Sequence, residues 1–518
     1  MTDGKNTRAA GKGKNLPDPL PDGEQGDETV LLLPLATSEG GTKTKDYRCR
    51  STMNLRAEEI CKATQGRLLT TPTDTAVRNV CIDSRSAAEG SLFIPLKGTQ
   101  HDGHIFIEDA FINGATGTLV ENETVAAQQL QKGFPDRIIV AVDCPLTALG
   151  DLAAYWRRKF SLSVVAVTGS NGKTTTKEML WNIVSRSRTT MKNPGNYNNL
   201  IGLPLSLFAL DGSSEVAVVE MGMNAPGEIK RLAEISKPGF GLITNVGPAH
   251  LEGLETIEAV AAAKKELFDA LCSDDTAIIN NDDKHLASFA PNLSCRTITF
   301  GINKAEVRAT SLRNDDCFST TFDLVINEQS RTITINLMGN HAVSNALAAA
   351  AAAHGLGVPI EEIRTGLETF EGVPGRMEVL DIHGITVIND SYNANPVSMQ
   401  ASLNVLASMK HSRRRIAALG DMLELGKASA AYHRQLGEAA ARLRLDRLFV
   451  VGEFSLYVQE GACKTGMSDS AVCVCDDVSA VEQKLSRELQ EGDALLIKAS
   501  RKMRMERLID VLRQKNEQ

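Results

Sequence analysis

The segment VVAVTGSNGKTTTKEML, residues 164–180, constrains the fold more than any other part of the chain. It starts as a run of small and β-branched apolar residues, the pattern of a strand buried on both faces. Gly169 and Gly172 then permit a tight turn, and Lys173 opens a helix. A strand that feeds a helix through such a turn aims backbone N–H groups and the positive end of the helix dipole at one point, which suits a phosphate. The lysine of such a loop reaches the outer phosphates, and the next hydroxyl, here Thr174, sits on Mg²⁺. The spacing is G-x-x-G-K-T, because Val167 stands where the longer G-x-x-x-x-G-K-[ST] pattern has its first glycine. The competing reading is a strand–turn–helix corner that holds no ligand.

Two further apolar runs, VAVVEMG and FGLITNV, are each followed by a helical pattern. Strands alternating with helices imply a parallel sheet. A strand-rich insertion is predicted from about Arg296 to Leu337, before the helix SNALAAAAAAHGLG closes the unit. A chain of 518 residues has room for about three domains. The predicted fold class is α/β. Residues 1–50, rich in Gly, Lys, Thr, Asp and Pro, read as a flexible extension. Residues 51–147 form a small α/β domain, and residues 148–371 the central phosphate-loop domain with its parallel sheet, opening on a helix around Ala148–Phe160. Residues 372–518, with the strands ITVIND, RIAALGD, RLFVVGE and ALLIKAS, form a Rossmann-like domain.

With 64 acidic against 56 basic residues the net charge is −8, which argues against general nucleic-acid binding. The 10 cysteines include no C-x-x-C pair. Cys473 and Cys475 alternate with valines, as strand residues do, and read as reduced, buried thiols. No apolar run approaches the ~18 residues that span a membrane, and LLLPLA is too short and too late for a secretory signal. A cytoplasmic monomer without membrane insertion is expected.

Glu220 ends the strand VAVVE, where a carboxylate beside a phosphate loop can ligate Mg²⁺. His250, in NVGPAHLEG, follows another apolar strand at the same sheet edge. Lys264 and Lys265 lie on the next helix, where two lysines are by default a solvated face.

Over nearly its whole length after the extension, the chain resembles the Mur ligase family. The resemblance rests on TGSNGKTTTKEM, NPGNYNNLIGLPLSL, VVEMGMNAPGEI, GNHAVSNALAA, GRMEV, NDSYNANP, LGDMLELG and KASRKMRME, preceded by IDSRSAAEGSLFIPLKG and DGH. It implies a UDP-sugar-binding N-terminal domain, an ATP-binding centre and a Rossmann-like ligase domain. The implied activity is ATP-dependent joining of D-alanyl-D-alanine to UDP-N-acetylmuramoyl-tripeptide through an acyl phosphate, with ATP and Mg²⁺ required. NYNN, EMGMNAPGE and DSYNANP speak against the ligase that adds the third residue and against folylpolyglutamate synthase. A nucleotide-dependent switch gives no reason for the UDP-sugar-like segment.

Residue by residue, the resemblance gives Gly169, Ser170, Asn171, Gly172, Lys173, Thr174 and Thr175 to ATP, with Asn345 at the base, Arg376 at the outer phosphate and Asp390 at the ribose. Thr174, Glu220 and His250 would bind metal, and Lys264 matches a position that several Mur ligases carbamylate. Lys173, Lys264 and Arg376 are the implied catalytic residues. Ser84 and Arg85 would face the UDP moiety, and Asn196, Tyr197 and Asn198 the peptide. Two positions depart from the pattern: Ala499 replaces a usual glycine, and Tyr392 stands where some members carry a phosphate-contacting lysine.

Overall fold

The computed structural model describes residues 53–72, 76–99, 101–122, 130–315 and 318–514; the extension expected over 1–50 lies outside them. Three sheets follow one another along the chain. The first has five strands, in the spatial order Arg67–Leu68, Ile138–Val142, Gly117–Glu121, Ser91–Phe93 and Asn79–Cys81, parallel except for the first pair.

The central sheet has nine strands, and its parallel core sets Val216–Glu220, Ser163–Thr168, Phe240–Ile243 and Thr276–Asn280 side by side. Their residues are almost all buried, as expected of a sheet covered on both faces. Parallel strands end at one edge, so the phosphate loop, Glu220 and the segment after Ile243 are neighbours there. The strand-rich stretch is not a separate insertion. Arg296–Gly301 pairs in parallel with Thr276–Asn280, and three antiparallel-joined strands up to Ile335 prolong the same sheet. Their inward residues Val307, Phe322, Leu324, Ile333 and Ile335 join the apolar cluster beneath the phosphate-loop helix, so burial fuses them to the core.

The helix expected over Ala148–Phe160 runs from Pro145 to Arg157. Proline suits a first helical position, because its missing N–H would be unpaired there anyway. The alanine-rich helix Asn340–Gly355 is buried over most of its length, and its small side chains let it pack closely against the helix Lys173–Val184. The last sheet has six strands, ordered Glu378–Ile382, Ile385–Asn389, Ala494–Lys498, Arg415–Leu419, Arg447–Val451 and Val472–Cys475. All its pairs are parallel except the opening hairpin. No helix among the described residues is long and apolar enough to cross a membrane.

Candidate active site

The phosphate loop is built by exclusion of side chains. Gly172 has φ +78°, and a Cβ there would collide with the carboxamide of Asn345, which is itself buried on the alanine-rich helix. A Cβ at Gly169 would strike Thr244. The Ser170 hydroxyl donates to the Gly247 carbonyl at 3.0 Å, and the Asn171 amide donates to Asn245 Oδ1 at 3.0 Å. Thr244 Oγ1 and Asn245 Nδ2 both donate to the Asn171 carbonyl. Thr244, Asn245 and Gly247 thus brace the loop; no motif marked them, although an Asn and a Gly straight after a buried strand were a usable signal. Lys173 Nζ donates to the Gly169 carbonyl at 2.8 Å. Burial lowers its pKa, and the nearby Arg376 charge adds to this while Glu220 and Glu424 oppose it.

Thr174 Oγ1 donates to Glu220 Oε2 at 2.7 Å, and Asn198 Nδ2 donates to Glu220 Oε1 at 2.7 Å. Asn193 anchors the same strand end: its Oδ1 accepts from the Glu220 amide, and its Nδ2 donates to the carbonyls of Tyr197 and Glu220. Asn198 therefore positions the carboxylate, while Asn196 is exposed and Tyr197 is half-buried over Gly202. The wholly buried Lys177, passed over in the sequence, donates to the Asn193 carbonyl at 2.9 Å and lies 4.0 Å from Glu220 Oε2.

The two helix lysines divide. Lys265 pairs with Asp269, whereas Lys264 is 1% exposed and has no hydrogen bond or ion pair among the described residues. Burial first, and then the Lys173 charge, push the Lys264 pKa well below its ordinary value. His250 is held from across the cleft: its Nδ1 lies 2.8 Å from Glu424 Oε2, misaligned for a hydrogen bond. Contact with His250 holds the Glu424 carboxyl below the ordinary range against the opposing effect of burial.

From the C-terminal sheet, the Arg376 guanidinium lies 4.0 Å from the centre of the Tyr392 ring, and its buried Nε has no partner among the described residues. Tyr392 thus serves as the platform for a cation. Asp390 accepts from the Met377 amide, from Ser402 Oγ at 2.6 Å and from the buried Lys498 Nζ at 2.6 Å. Asn395 Nδ2 donates to Asn171 Oδ1 at 2.7 Å, which ties this sheet to the phosphate loop. Ala499 is fully buried opposite Gly420; a Cβ on Gly420 would come within 2.8 Å of the Ala499 methyl, so the bare glycine makes room for it. Ser84 and Arg85 lie apart, in a short 3₁₀ turn of the first sheet, with Ser84 buried and Arg85 paired to Asp83 at 2.7 Å.

The cradle left by the two glycines, the Lys173 ammonium and the unpartnered Arg376 Nε all suit a polyphosphate. Thr174 and Glu220 offer hard oxygen donors of the kind Mg²⁺ prefers. No group of three His, Cys, Asp or Glu gathers for a metal among the described residues.

Known proteins share these domains and this fold. The family model for the Mur ligase middle domain matches residues 167–353, that for the Mur ligase glutamate ligase domain residues 375–501, and that for the Mur ligase catalytic domain residues 76–157. The UDP-N-acetylmuramoyl-tripeptide–D-alanyl-D-alanine ligase of Bacillus subtilis is 34% identical over 439 residues, 84% of this chain and 93% of that protein. The enzyme of the same name from Escherichia coli is 34% identical, over 85% of this chain and 95% of its own length. The crystal structure of MurF from Acinetobacter baumannii superposes with a TM-score of 0.81 at 31% identity, covering 89% of this chain and 99% of that one. MurF from Thermotoga maritima in complex with ADP gives 0.75 at 30% identity, over 85% and 98% of the two chains. Matched in order by three domain models of the family, and 34% identical to one of its members over 84% of its length, the chain belongs to the Mur ligase family and groups with its MurF members.

Proposed function

We infer that this chain is the ATP-dependent ligase that joins D-alanyl-D-alanine to UDP-N-acetylmuramoyl-tripeptide, a step that builds the peptidoglycan precursor. The observation that carries this reading is the meeting of two sheets over one loop. Lys173 and Thr174 come from the central sheet, and Arg376 and Asn395 from the C-terminal one. A carboxylate is a poor electrophile until it is phosphorylated. Lys173 and Arg376 offset the charge on the transferring phosphoryl group. Thr174 and Glu220 would hold Mg²⁺, which supplies further charge neutralisation when bound. Asn198 and Asn193 keep Glu220 aimed. The dipeptide amine attacks only when neutral, so its proton must leave before or during the step.

Further assignments complete the reading. Ser84 and Arg85 face the UDP moiety, and Asn196 and Tyr197 the peptide; Asn345 lies at the base and Asp390 at the ribose, with Lys498 as the cation that orients it. Incubation with ATP, D-alanyl-D-alanine and a UDP-muramoyl-tripeptide should yield the pentapeptide mass and one phosphate per product. Phosphate release that needs neither the tripeptide nor the dipeptide would make the chain a nucleotide-driven switch instead.

A further inference from the structure

The outer edge of the C-terminal sheet carries chemistry that the ligase reaction leaves unused. Its last strand, Val472–Cys475, reads V-C-V-C. Strand side chains alternate, so the two valines face one side and the two cysteines the other. Cys473 is half-buried and Cys475 buried, and both are free thiols. Their sulfurs lie 3.8 Å apart, and Lys484, on the following helix Val478–Glu488, donates to Cys473 Sγ at 2.9 Å. The thiolate is the form of a cysteine that binds metals.

Geometry chooses what such a pair can do. A thiolate–zinc bond is ≈ 2.3 Å, so two sulfurs on a tetrahedral ion sit about 3.8 Å apart, the tetrahedral edge being ~1.63 bond lengths. The pair already has that bite. A disulfide fits less well. Cα atoms two residues apart on a strand are separated by about 6.6–6.8 Å, the far end of the disulfide range, and the sulfurs would have to close to about 2.05 Å. That would buckle a strand held in register with its neighbour, Cys473 opposite Phe449 and Cys475 opposite Val451.

We propose that Cys473 and Cys475 form a two-thiolate chelate for a thiophilic divalent cation of the zinc and cadmium class. Each thiol gives up a proton, two metal–sulfur bonds form, and no electrons are exchanged. Cys475 packs into the apolar cluster with Phe449 and Val451, so water would reach the ion from the half-buried Cys473 side. Burial, and then Cys473 beside it, push the Cys475 thiol up to about 11. Capture therefore displaces its proton and tightens as pH rises. Three strands separate this edge from Ile385–Asn389, the strand that leads into Asp390, so occupancy leaves the phosphate loop untouched.

The test uses the full chain. Tryptic peptide 465–484 holds both thiols and no other cysteine. One equivalent of Cd²⁺ or Zn²⁺ should slow iodoacetamide labelling of this peptide at least tenfold, while the exposed Cys144 and Cys272 label at an unchanged rate. Co²⁺ should give thiolate charge-transfer absorption that both Cys473→Ser and Cys475→Ser abolish, with ligation within twofold of the parent as the check on folding. Should the buried Cys475→Ser misfold, the half-buried Cys473→Ser decides alone. Unchanged labelling, or full protection of the remaining thiol in a single-serine variant, overturns the chelate. A peptide two hydrogens lighter in the metal-free protein also overturns it, and makes the pair a redox couple.

Discussion

Lys264 is buried and Lys173 half-buried, and both have lowered pKa values, but they meet different demands. Lys173 has carboxylates near enough to oppose the loss of its charge, and that charge is what a transferring phosphoryl group needs. Lys173→Ala should therefore cut kcat more than ~100-fold while the melting temperature stays near the parent's. Near-normal turnover would remove the loop from the reaction. Lys264 has no anion beside it among the described residues, so burial drives it toward the neutral amine, the only form that reacts with CO₂. A carbamate there would turn a cation into an oxygen ligand. Lys264→Ala should then be slow, and short carboxylates should partly restore it; full activity without them ends that reading. The same shift predicts a pH slope in stability. An unfolded lysine keeps its proton up to about 10.4, whereas the buried one releases it lower. Between those limits the unfolded state binds more protons, so stability rises with pH. Lys264→Met should flatten that slope in melting curves taken from neutral pH to about 10.

The strand–turn–helix that carries the loop depends on backbone that only glycine tolerates. Gly172→Ala would place a methyl against Asn345 at φ +78°. Left-handed strain of about 1–2 kcal/mol plus overpacking of about 1–3 should lower stability by roughly 2–5 kcal/mol and raise the KM for ATP. Denaturant titration alongside ATP kinetics checks both, and an unshifted midpoint would mean that Asn345 yields freely. This element was legible in the sequence because each of its parts is local: an apolar run, two glycines, a lysine. What was not legible comes from distant partners. Thr244, Asn245 and Gly247 brace the loop from another strand end, more than seventy residues away. Lys177 shows no sign in the sequence that it is wholly buried. The stretch from about Arg296 to Leu337 read as an insertion because alternation reveals strands and not which sheet they join. Lys264 was open to two readings, a solvated helix lysine or the carbamylated position, and its spacing of four from both Val260 and Phe268 agrees with the buried face on which it lies.

At the scale of the molecule, the site is shared between sheets and so depends on how firmly they close. Contacts that span the cleft include Asn395 to Asn171, His250 to Glu424, and the Glu252 amide donating to the Glu424 carbonyl, which a change of the Glu424 side chain leaves in place. Closure matters because an acyl phosphate exposed to water is hydrolysed, and ATP is then consumed without product. The Glu424 side chain is 54% exposed, so its pair with His250 ranks with surface pairs, at about 0.2–1 kcal/mol. An energy of that size shifts an open–closed equilibrium by at most about fivefold. Glu424→Ala should therefore raise phosphate released per pentapeptide formed by no more than about fivefold, with kcat for ligation falling by a similar factor. Glu424→Gln, which keeps the side-chain length and loses the charge, should fall between the two. Simultaneous assay of phosphate and product reads the ratio directly. A loss of ligation near a hundredfold, with the ratio unchanged, would show that Glu424 takes part in the chemistry and not in closing the cleft.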